Sequence, residues 1–408
     1  MQAMNWANVC HLQNTTWDDA QQFTSCAVRA ALEKVLLSLD GRVLTREQCL
    51  LLANTTGDDL FGLVVAANEI RRRLVGNVVS YVVTRNINFT NVCFVGCKFC
   101  AFSVGPRDET AYFLSLDDIA RKSREAEQWG ATEVCIQGGL PHGLPKFHYR
   151  DILRAVKSAT PKMHTHAFSP MEMIYGAELT GMPIREYLLM LKENGLDTLP
   201  GTAAEILDDR VRFVLSRNKL TTAQWCEVIE TAHQCGIRST STMMYGHTET
   251  SEHWVNQLLL LRDIQARTGG FTEFVPLGFI HANTLLYAQG LARPGGTLEE
   301  HLKVHALARV MLAGSISHIQ VSWVKLGRAV SQLCLLAGAD DYGGTLFEEN
   351  ISRLAGATAG QYISTVEFQE RILELGRTPA QRNTVYTKYD YPVARHDESL
   401  SGATAPVL

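Results

Sequence analysis

Three cysteines lie within eight residues of one another in the segment NVCFVGCKFC, residues 91–100. Cys93, Cys97 and Cys100 have the spacing C-x3-C-x2-C, and no further cysteine or histidine follows before Cys135. Thiolates are soft ligands that bind zinc and iron–sulfur clusters. We call Cys93, Cys97 and Cys100 the cysteine triad. Their spacing predicts a metal centre with one coordination position left open.

Three interpretations of the cysteine triad imply different chemistry. Free cysteines are often buried in cores, but three in eight residues, with Gly96 and Lys98 between them, fit no apolar stripe. A structural zinc site normally has four ligands, so its fourth would have to come from elsewhere in the chain. A cubane [4Fe-4S] cluster usually takes four cysteines, and three leave one iron open to bind a small molecule. We favour the cluster.

The composition excludes several classes of protein. The chain has 408 residues, of which 46% are hydrophobic and 20% charged, and a formal net charge of −4. These values are ordinary for a globular protein, and no basic patch indicates nucleic-acid binding. No apolar run reaches the ~18 residues of a membrane span, and the N-terminus does not resemble a secretory signal. Ten cysteines are too few for a disulfide scaffold, so we expect a cytoplasmic protein that binds no nucleic acid and no membrane.

The elements that must position the triad alternate between strands and helices. We predict an N-terminal helical lead-in at residues 1–78, a barrel with C-terminal helices at 79–390, and a flexible tail at 391–408. The predicted strands are 79–90, 133–139, 162–169, 196–205, 238–247, 271–280, 318–327 and a weaker 340–347, and the predicted helices between or after them are 115–130, 147–160, 182–195, 221–236, 251–268, 297–315 and 329–339.

This α/β alternation predicts a TIM-type parallel (β/α) barrel of eight strands with an N-terminal helical extension. The pattern alone does not separate a closed eight-stranded barrel from an open six-stranded one. The triad follows the first predicted strand, so it lies in the first βα loop. In a parallel barrel these loops open on the C-terminal face, where active sites gather. The sequence therefore predicts the triad at the mouth of the barrel.

The triad, with the aromatic Phe99 before its last cysteine and a strand before its first, resembles the radical S-adenosylmethionine (radical SAM) superfamily. The resemblance implies one [4Fe-4S] cluster bound by three cysteines, with an exchangeable S-adenosyl-L-methionine whose amino and carboxylate groups chelate the open iron. It also implies that electron transfer splits the sulfonium and yields a deoxyadenosyl radical.

Two further stretches agree with that superfamily. QGG at 137–139 resembles the glycine pair, here Gly138 and Gly139, that passes its backbone close to the methionine amino group. Glycine permits such an approach because it has no side chain. MYGHTE at 244–249, with Tyr245 and His247, resembles the adenine-contacting stretch. The alternative interpretations are a tight βα turn and an ordinary strand end.

Longer stretches resemble one family, the tyrosine-using subunit of deazaflavin (FO) synthase. The similarity covers residues from about 40 to 385, and the order of Pro141 and His142 is exchanged relative to the family. SPME (169–172) and HANTLLY (281–287) favour this family over the related radical enzymes of menaquinone synthesis. The stretches that carry the resemblance are RNINFTNVC (85–93), EVCIQGG (133–139), HAFSPMEMIYGA (166–177), LPGTAAEILDDRVR (199–212), STMMYGHTET (241–250), GGFTEFVPLGFIHANTLLY (269–287) and IQVSWVKLG (319–327).

The family resemblance implies a reaction and its partners. The deoxyadenosyl radical abstracts hydrogen from L-tyrosine, the Cα–Cβ bond breaks, and the hydroxybenzyl radical adds to 5-amino-6-(D-ribitylamino)uracil. A ring-closing FO synthase subunit of the CofG type would complete the deazaflavin, and a ferredoxin or flavodoxin would donate the electron. The alternatives are an aminofutalosine synthase-like enzyme that acts on an enolpyruvyl benzoate and a zinc-stabilised binding module.

The remaining candidates are polar side chains near the C-terminal ends of predicted strands. His164 and His166 share a strand face and either bind metal or, as we favour, form hydrogen bonds in a polar lining. Glu172 and Glu205 either hold ribose hydroxyls or accept hydrogen bonds from helix N-termini. Cys135 is expected to be buried rather than to be a fourth ligand, and no catalytic residue is assigned. The full set of these ligand-contact candidates is Gln137, His164, His166, Glu172, Glu205, Tyr245, His247 and Glu249.

Overall fold

The computed structural model describes residues 12–392. The helices are α1 (Trp17–Ala20), α2 (Cys26–Ser38), α3 (Arg46–Ala53), α4 (Gly57–Val75), α5 (Leu116–Gln128), α6 (His148–Ala159), α7 (Pro170–Thr180), α8 (Ile184–Glu193), α9 (Asp209–Ser216), α10 (Thr222–Gln234), α11 (Ser251–Thr268), α12 (Leu285–Ala288), α13 (Leu298–Leu312), α14 (Trp323–Leu336), α15 (Ile351–Leu354) and α16 (Thr365–Glu374). The strands are β1 (Val78–Val82), β2 (Thr84–Ile87), β3 (Glu133–Ile136), β4 (His164–Ala167), β5 (Thr198–Leu199), β6 (Arg238–Tyr245), β7 (Phe271–Gly278), β8 (Asp341–Gly344), β9 (Thr378–Arg382) and β10 (Tyr389–Asp390).

Helices α1–α4 precede the first strand, as the sequence predicts for this segment. α4 buries Leu60, Leu63, Val64 and Ile70 and packs against α13, which is buried along most of its length. No single helix within residues 12–392 is both long and apolar enough to cross a membrane. Only α3 and α4 taken together reach that length and apolar composition, and the two helices are bent by 113° relative to each other. The predicted tail at 391–408 lies outside the described residues from 393 onward.

Strands β2 to β7 form one parallel sheet in sequence order, and β10-β9-β1-β8 form a second sheet. Single bridges join the two sheets into a ring that contains the positions of eight parallel strands. The bridges pair Phe274 with Ile319, Gln320 with Asp341, and Arg85 with Phe347. The TIM-type α/β fold predicted from the sequence is confirmed, and the ring between β7 and β2 is closed by isolated bridges rather than by full ladders.

A strand from the C-terminal region lies beside the first strand. β9 pairs in parallel with β1, with Val78 opposite Thr378 and Tyr81 opposite Gln381. β10 then pairs antiparallel with β9. The sequence analysis does not predict β9, because TPAQR begins with a threonine and a proline and has no alternation of apolar residues.

Several predicted elements differ from those observed. The predicted strand at 79–90 is two strands in different sheets, β1 and β2, and the predicted strand at 196–205 is only Thr198–Leu199. The predicted strand at 318–327 is wrong beyond residue 320, because α14 begins at Trp323, whose indole Nε1 donates to the carbonyl of Gly344 (2.8 Å). Short apolar runs do not by themselves distinguish a strand from a buried helix. Helices α7 and α9 are additional to the predicted ones.

Candidate functional site

A cavity of about 420 Å³ occupies the interior of the barrel. Its mouth is lined by the cysteine triad, Phe99 and the glycine pair, at the carboxyl ends of β2 and β3. Its floor is lined by Glu133, Glu273 and Arg382. The cavity therefore joins the loop that carries the cysteines to the opposite end of the barrel.

Backbone hydrogen bonds fix the loop that carries the cysteine triad. The Cys93 amide donates to the Val104 carbonyl (3.2 Å), and the Phe94 amide donates to the Leu140 carbonyl (3.0 Å). The Lys98 amide donates to the carbonyl of Leu215 in α9 (2.9 Å). All three thiols are partly buried and line the cavity. The loop is therefore held from three sides while its sulfur atoms face the interior.

The surroundings of Cys97 shift the pKa of its thiol in opposite directions. Burial raises the pKa of Cys97 to about 11, while Lys219 and a hydrogen bond from Ser216 Oγ to the sulfur (3.1 Å) favour the thiolate. Burial likewise raises the pKa of Cys93. The raised pKa values favour the protonated thiols, so a metal that binds Cys93 and Cys97 has to displace their protons.

Lys219 is a site residue that the sequence analysis missed. Its ammonium donates to Glu205 Oε1 (2.7 Å) and lies 5.2 Å from the centre of the Phe99 ring. Burial lowers the pKa of Lys219, but the charges of Glu205 and Cys97 outweigh that effect and the pKa is raised overall. From the sequence alone, a single lysine before a predicted helix cannot be distinguished from a lysine that is exposed to solvent.

The glycine pair lies directly against the cysteine loop. A Cβ at Gly138 would lie 2.5 Å from the ring of Phe89, and one at Gly139 would lie 2.2 Å from the carbonyl oxygen of Val92 and 3.0 Å from Cβ of Cys93. Side chains at these positions would displace the loop. The close contacts of these two glycines in the structure are therefore with the cysteine loop, and the approach to the methionine amino group stays a prediction.

The two carboxylates predicted near the site have different surroundings. Glu172 is buried at the start of α7, where Ser169 donates through its amide (2.6 Å) and hydroxyl (2.7 Å) to Oε2, and the Gly138 amide donates to Oε1 (3.1 Å). Burial raises the pKa of Glu172 to about 7, although these hydrogen bonds oppose the shift. The helix-capping interpretation therefore describes Glu172. Glu205 instead forms an ion pair with Lys219.

The residues at the end of β6 lie behind the cavity wall. Tyr245 is fully buried, and its hydroxyl shares a hydrogen bond with His301 Nδ1 (2.7 Å). His247 Nε2 contacts the Met244 carbonyl (2.9 Å), and Glu249 accepts hydrogen bonds from the amides of Gly246 and His247. Among the described residues, Met244 lines the cavity, whereas Tyr245, His247 and Glu249 do not.

The two predicted histidines of β4 bind one hydroxyl. His164 Nε2 and His166 Nδ1 each lie 2.8 Å from Thr198 Oγ1. Burial lowers the pKa of His166 to about 3, so it is neutral. Within residues 12–392, no three histidine, cysteine or carboxylate side chains, including those of the cysteine triad, are arranged around one single metal-ion position. The hydrogen-bonding interpretation describes this pair.

Cys135 and Gln137 are the remaining residues considered in the sequence, and His142 is the residue whose order with Pro141 departs from the family. Cys135 and Gln137 line the cavity from β3 and the residue after it, and burial raises the pKa of the Cys135 thiol. The Oε1 of Gln137 accepts a hydrogen bond from Thr202 Oγ1 at 3.5 Å. The His142 ring stacks on Phe94, with 4.4 Å between the ring centres, so His142 supports the cysteine loop.

The floor is a network of buried charges. Arg382 donates through Nε to Asp341 Oδ2 (2.6 Å) and through Nη2 to Glu273 Oε2 (3.2 Å). The hydroxyl of Tyr386 also donates to Glu273. Thr384 donates to Glu133 Oε2 (2.6 Å). The segment that follows β9 therefore closes the lower end of the barrel.

The walls between mouth and floor differ in polarity. One wall consists of β2 and β3, which present Thr84, Asn86 and Asn88 beside Glu133, Cys135 and Gln137. The opposite wall is largely apolar and presents Met244, Val275, Leu277, Phe279 and Val324. The cavity can therefore hold a ligand that has a polar side and an apolar ring.

The residues at the mouth fit a [4Fe-4S] cluster with S-adenosylmethionine. Three thiols face one cavity, and side chains longer than hydrogen at Gly138 and Gly139 would intrude on the loop that carries them. The cavity continues past the thiols, so a ligand on an open iron has room. Cys93, Cys97 and Cys100 would hold the cluster.

Comparisons with known proteins agree with this site. Residues 87–261 match the Radical SAM superfamily, and residues 268–395 match the CofH/MqnC C-terminal region. The crystal structure of methylornithine synthase (PylB) superposes with a TM-score of 0.66 at 18% identity, covering 86% of this chain and 97% of that one. The barrel and the cysteine triad at its mouth define a radical SAM protein, a class that uses a [4Fe-4S] cluster and S-adenosylmethionine.

Two relatives narrow this class. The chain is 50% identical over 330 residues to the 5-amino-6-(D-ribitylamino)uracil–L-tyrosine 4-hydroxyphenyl transferase of Methanocaldococcus jannaschii, covering 80% of this chain and 92% of that protein. It is 54% identical over 342 residues to the FO synthase of Mycobacterium leprae, covering 84% of this chain and 40% of that protein. The chain thus spans about 40% of the length of the FO synthases that it matches. It belongs to the family of the 4-hydroxyphenyl transferase, which confirms the family predicted from the sequence.

Proposed function

We propose that the chain transfers the 4-hydroxybenzyl group of L-tyrosine to 5-amino-6-(D-ribitylamino)uracil by radical SAM chemistry. The observation that carries this proposal is the 50% identity over 92% of the length of the methanogen transferase. The product is 5-amino-5-(4-hydroxybenzyl)-6-(D-ribitylimino)-5,6-dihydrouracil, the precursor of FO, the deazaflavin of coenzyme F420. The resemblance to FO synthases supports the same pathway step.

In this proposal the cysteine triad binds one [4Fe-4S] cluster, and S-adenosylmethionine occupies the open iron. When bound, this pair supplies the one-electron chemistry that starts the reaction. Phe99, Gly138, Gly139, Glu172 and Glu205 line the same end of the cavity, which supports their assignment to the S-adenosylmethionine site. Because both oxygens of Glu172 already accept hydrogen bonds from the protein, Glu172 would act there by holding the Gly138 amide.

Tyr245 and His247 belong to that site only through the backbone of their segment. Their side chains are occupied by His301 and by the Met244 carbonyl, behind the cavity wall. The backbone of Met244 reaches the mouth instead, because its amide donates to the carbonyl of Glu205 (2.9 Å).

The proposed transfer breaks one carbon–carbon bond and forms another. The Cα–Cβ bond of tyrosine breaks, the benzylic carbon joins C5 of the pyrimidine, and the remaining two-carbon fragment leaves as iminoacetate. The adduct radical loses one electron and one proton to become the 6-imine, and this electron balances the one that cleaves S-adenosylmethionine to methionine and deoxyadenosine. The protein contributes a cavity whose apolar wall and closed floor exclude water from reactive carbon radicals.

Three further parts of the proposal concern the partners and the location. A ring-closing FO synthase subunit of the CofG type would take the product, and a ferredoxin or flavodoxin would supply the electron. A cytoplasmic location is consistent with thiols that must stay reduced to bind a cluster. Each of these follows from the family and is open to direct test.

Anaerobic reconstitution tests the proposed function. The cluster-loaded protein is incubated with S-adenosylmethionine, a reductant, tyrosine and the ribitylaminouracil, and the products are identified by mass spectrometry. We expect deoxyadenosine, the hydroxybenzyl adduct, and iminoacetate with its hydrolysis product glyoxylate. A parallel incubation with the enolpyruvyl benzoate tests the alternative enzyme. Turnover of the benzoate without the tyrosine adduct would replace the proposal by the alternative, and one bound zinc without iron would overturn both.

A further inference from the structure

Three buried oxygen atoms on the polar wall have no hydrogen-bond partner within residues 12–392. They are Thr84 Oγ1, Asn86 Oδ1 and Asn88 Oδ1. All three residues line the barrel cavity. The other atoms of this kind, on His148, Tyr149 and His305, belong to side chains that do not line it. The unpartnered oxygens of the cavity therefore lie in one stretch of chain, which we call the β2 ladder.

The geometry of β2 explains why these residues act together. Side chains two residues apart in a strand point to the same face, so residues 84, 86 and 88 all face the interior, whereas Arg85 faces outward and pairs with Glu125 (2.8 Å). Successive steps of the β2 ladder are about 7 Å apart. The ladder therefore runs along the wall from the floor towards the cysteine loop.

The oxygens of Asn88 and Thr84 have no partner because the nearest polar groups form other hydrogen bonds. Asn88 Nδ2 donates to the carbonyl of Gln137 (3.1 Å), which leaves its Oδ1 without a donor. The hydroxyl of Thr345 donates to the Thr84 carbonyl (2.9 Å) rather than to its side chain. The nearest carboxylate on the adjacent strand, Glu133, is held by Thr384. The β2 ladder therefore offers three acceptor oxygens to the cavity, and the Thr84 hydroxyl can also donate.

Energetics favour a ligand for these atoms. A buried polar group without a partner costs about 1–3 kcal/mol, and native proteins rarely leave such groups unmatched. Apolar side chains of the same shape, such as valine for threonine, would avoid the cost. A ligand that supplies hydrogen-bond donors would satisfy all three groups at once, in place of the water that a polar cavity of about 420 Å³ can hold.

The chemistry of the β2 ladder selects among the reactants. The β2 ladder carries no positive charge, so the carboxylate of L-tyrosine would be buried against it without a counter-ion. A ribityl chain is uncharged and carries four hydroxyls, each able to donate. We propose that the β2 ladder binds the ribityl chain of the aminouracil, an inference that rests on the proposed function.

This placement also orients the pyrimidine ring. The five-carbon ribityl chain is shorter than the distance from residue 84 to residue 88. It therefore contacts two of the three side chains of the β2 ladder, and the pyrimidine ring contacts the third. The reacting carbon must lie near the cysteine triad, so the ring lies at the Asn88 end and the chain extends towards Thr84. The 4-hydroxyphenyl ring of tyrosine then lies against the apolar wall, which presents Met244, Leu277 and Phe279.

Binding measurements without reductant test the β2 ladder independently of turnover. Cluster-loaded wild type, Thr84→Val and Asn86→Leu are titrated anaerobically with 5-amino-6-(D-ribitylamino)uracil and with 5-amino-6-(pentylamino)uracil, which has the same ring and no hydroxyls. We expect each variant to bind the ribityl compound about tenfold more weakly, or about 1.4 kcal/mol, and the pentyl compound as wild type does. The melting temperature should be unchanged or higher, because each variant removes an unpartnered polar group.

Thr242→Val is the matched control. It makes the same change on β6, where the hydroxyl is already committed to the carbonyl of Gly201 (2.7 Å). We expect it to leave the ratio of the two affinities unchanged. If the Thr84 and Asn86 variants leave that ratio unchanged as well, the ladder assignment is overturned. If wild type binds neither compound, the proposed function itself fails, and the two failures are thus distinguished.

Discussion

At the mouth of the cavity, the three thiols come from eight consecutive residues, whereas at the floor Arg382 meets Asp341 and Glu273, which are 41 and 109 residues away in the chain. The thiols are left available to a ligand. At the floor, Arg382 pairs with Asp341 and Glu273, and Glu133 accepts a hydrogen bond from Thr384. This difference indicates that the mouth carries the chemistry and that the floor keeps the barrel closed beneath it.

The largest effect should come from the mouth. We expect Cys97→Ala to lose the cluster and to abolish deoxyadenosine formation, because it removes one of the three thiolates of the proposed ligand set. Iron and acid-labile sulfide analysis of the anaerobically purified protein checks this. Cys135→Ala is the control, since that thiol lines the same cavity from β3 but lies outside the triad. Full iron loading in Cys97→Ala would show that the triad is not the ligand set.

The floor should govern stability instead. Arg382→Met leaves Asp341 and Glu273 buried without their cation, and breaking a buried ion pair in this way costs about 3–5 kcal/mol. We expect that loss in the free energy of unfolding measured by denaturant titration. Lys388→Met is the control, because its pair with Asp390 has side chains 70% and 60% exposed and should contribute at most about 1 kcal/mol. Equal losses in the two variants would contradict a sealing role for Arg382.

The contact between β3 and the cysteine loop links stability to the chemistry of the mouth. A Cβ in Gly139→Ala would lie 2.2 Å from the Val92 carbonyl oxygen, and overpacking of this kind costs about 1–3 kcal/mol. We expect both the melting temperature and the iron content per chain to fall. Gly105→Ala is the matched control, since a Cβ there would meet nothing within 4 Å. A fully loaded Gly139→Ala protein would show that the loop tolerates displacement.

The smallest effect should come from the hydroxyl that contacts Cys97. Ser216→Ala removes a hydrogen bond to the sulfur, and such bonds favour the more negative, reduced cluster. We expect a reduction potential lower by about 40 mV, which corresponds to about 1 kcal/mol for one electron. A redox titration followed by electron paramagnetic resonance measures it, and Ser216→Thr should retain the wild-type potential. An unchanged potential in Ser216→Ala would mean that this contact is lost when the cluster binds.

The sequence predicts the mouth well because its parts are local. The cysteine triad, Phe99 and the glycine pair each lie in short stretches whose spacing is itself the signal. Lys219 is different, because it meets the mouth only after α9 has folded back onto the cysteine loop. A lysine in a loop has no pattern that reports such a contact.

At the end of β6, the alternation of side chains along the strand could have predicted which residues face the cavity. Thr240, Thr242 and Met244 line the cavity, so the period of two turns Tyr245 away from it. The resemblance identified the segment, and the side-chain direction was readable from the strand. The β2 ladder follows the same rule at residues 84, 86 and 88. That its oxygens have no hydrogen-bond partner can be seen only in the structure, because it depends on the positions of all neighbouring donors.

The floor could not be predicted from the sequence. Arg382 lies in a strand without apolar alternation, and its partners lie on β7 and β8. Buried charges of this kind are recognised by their partners, and the partners are set by tertiary structure. The wrong strand at 318–327 has the same origin, because the contact of Trp323 with Gly344 favours the helix.

The pairing of β9 with β1 also sets an order on biosynthesis. Val78 and Thr378 are 300 residues apart, and a ribosome adds about 5–20 residues per second. One edge of β1 therefore waits roughly 15–60 s for its neighbour, as an unpaired edge that is prone to wrong association. A nascent chain therefore keeps an unsealed barrel until the segment that carries β9 emerges, and a cluster inserted before that point would lie in an open interior.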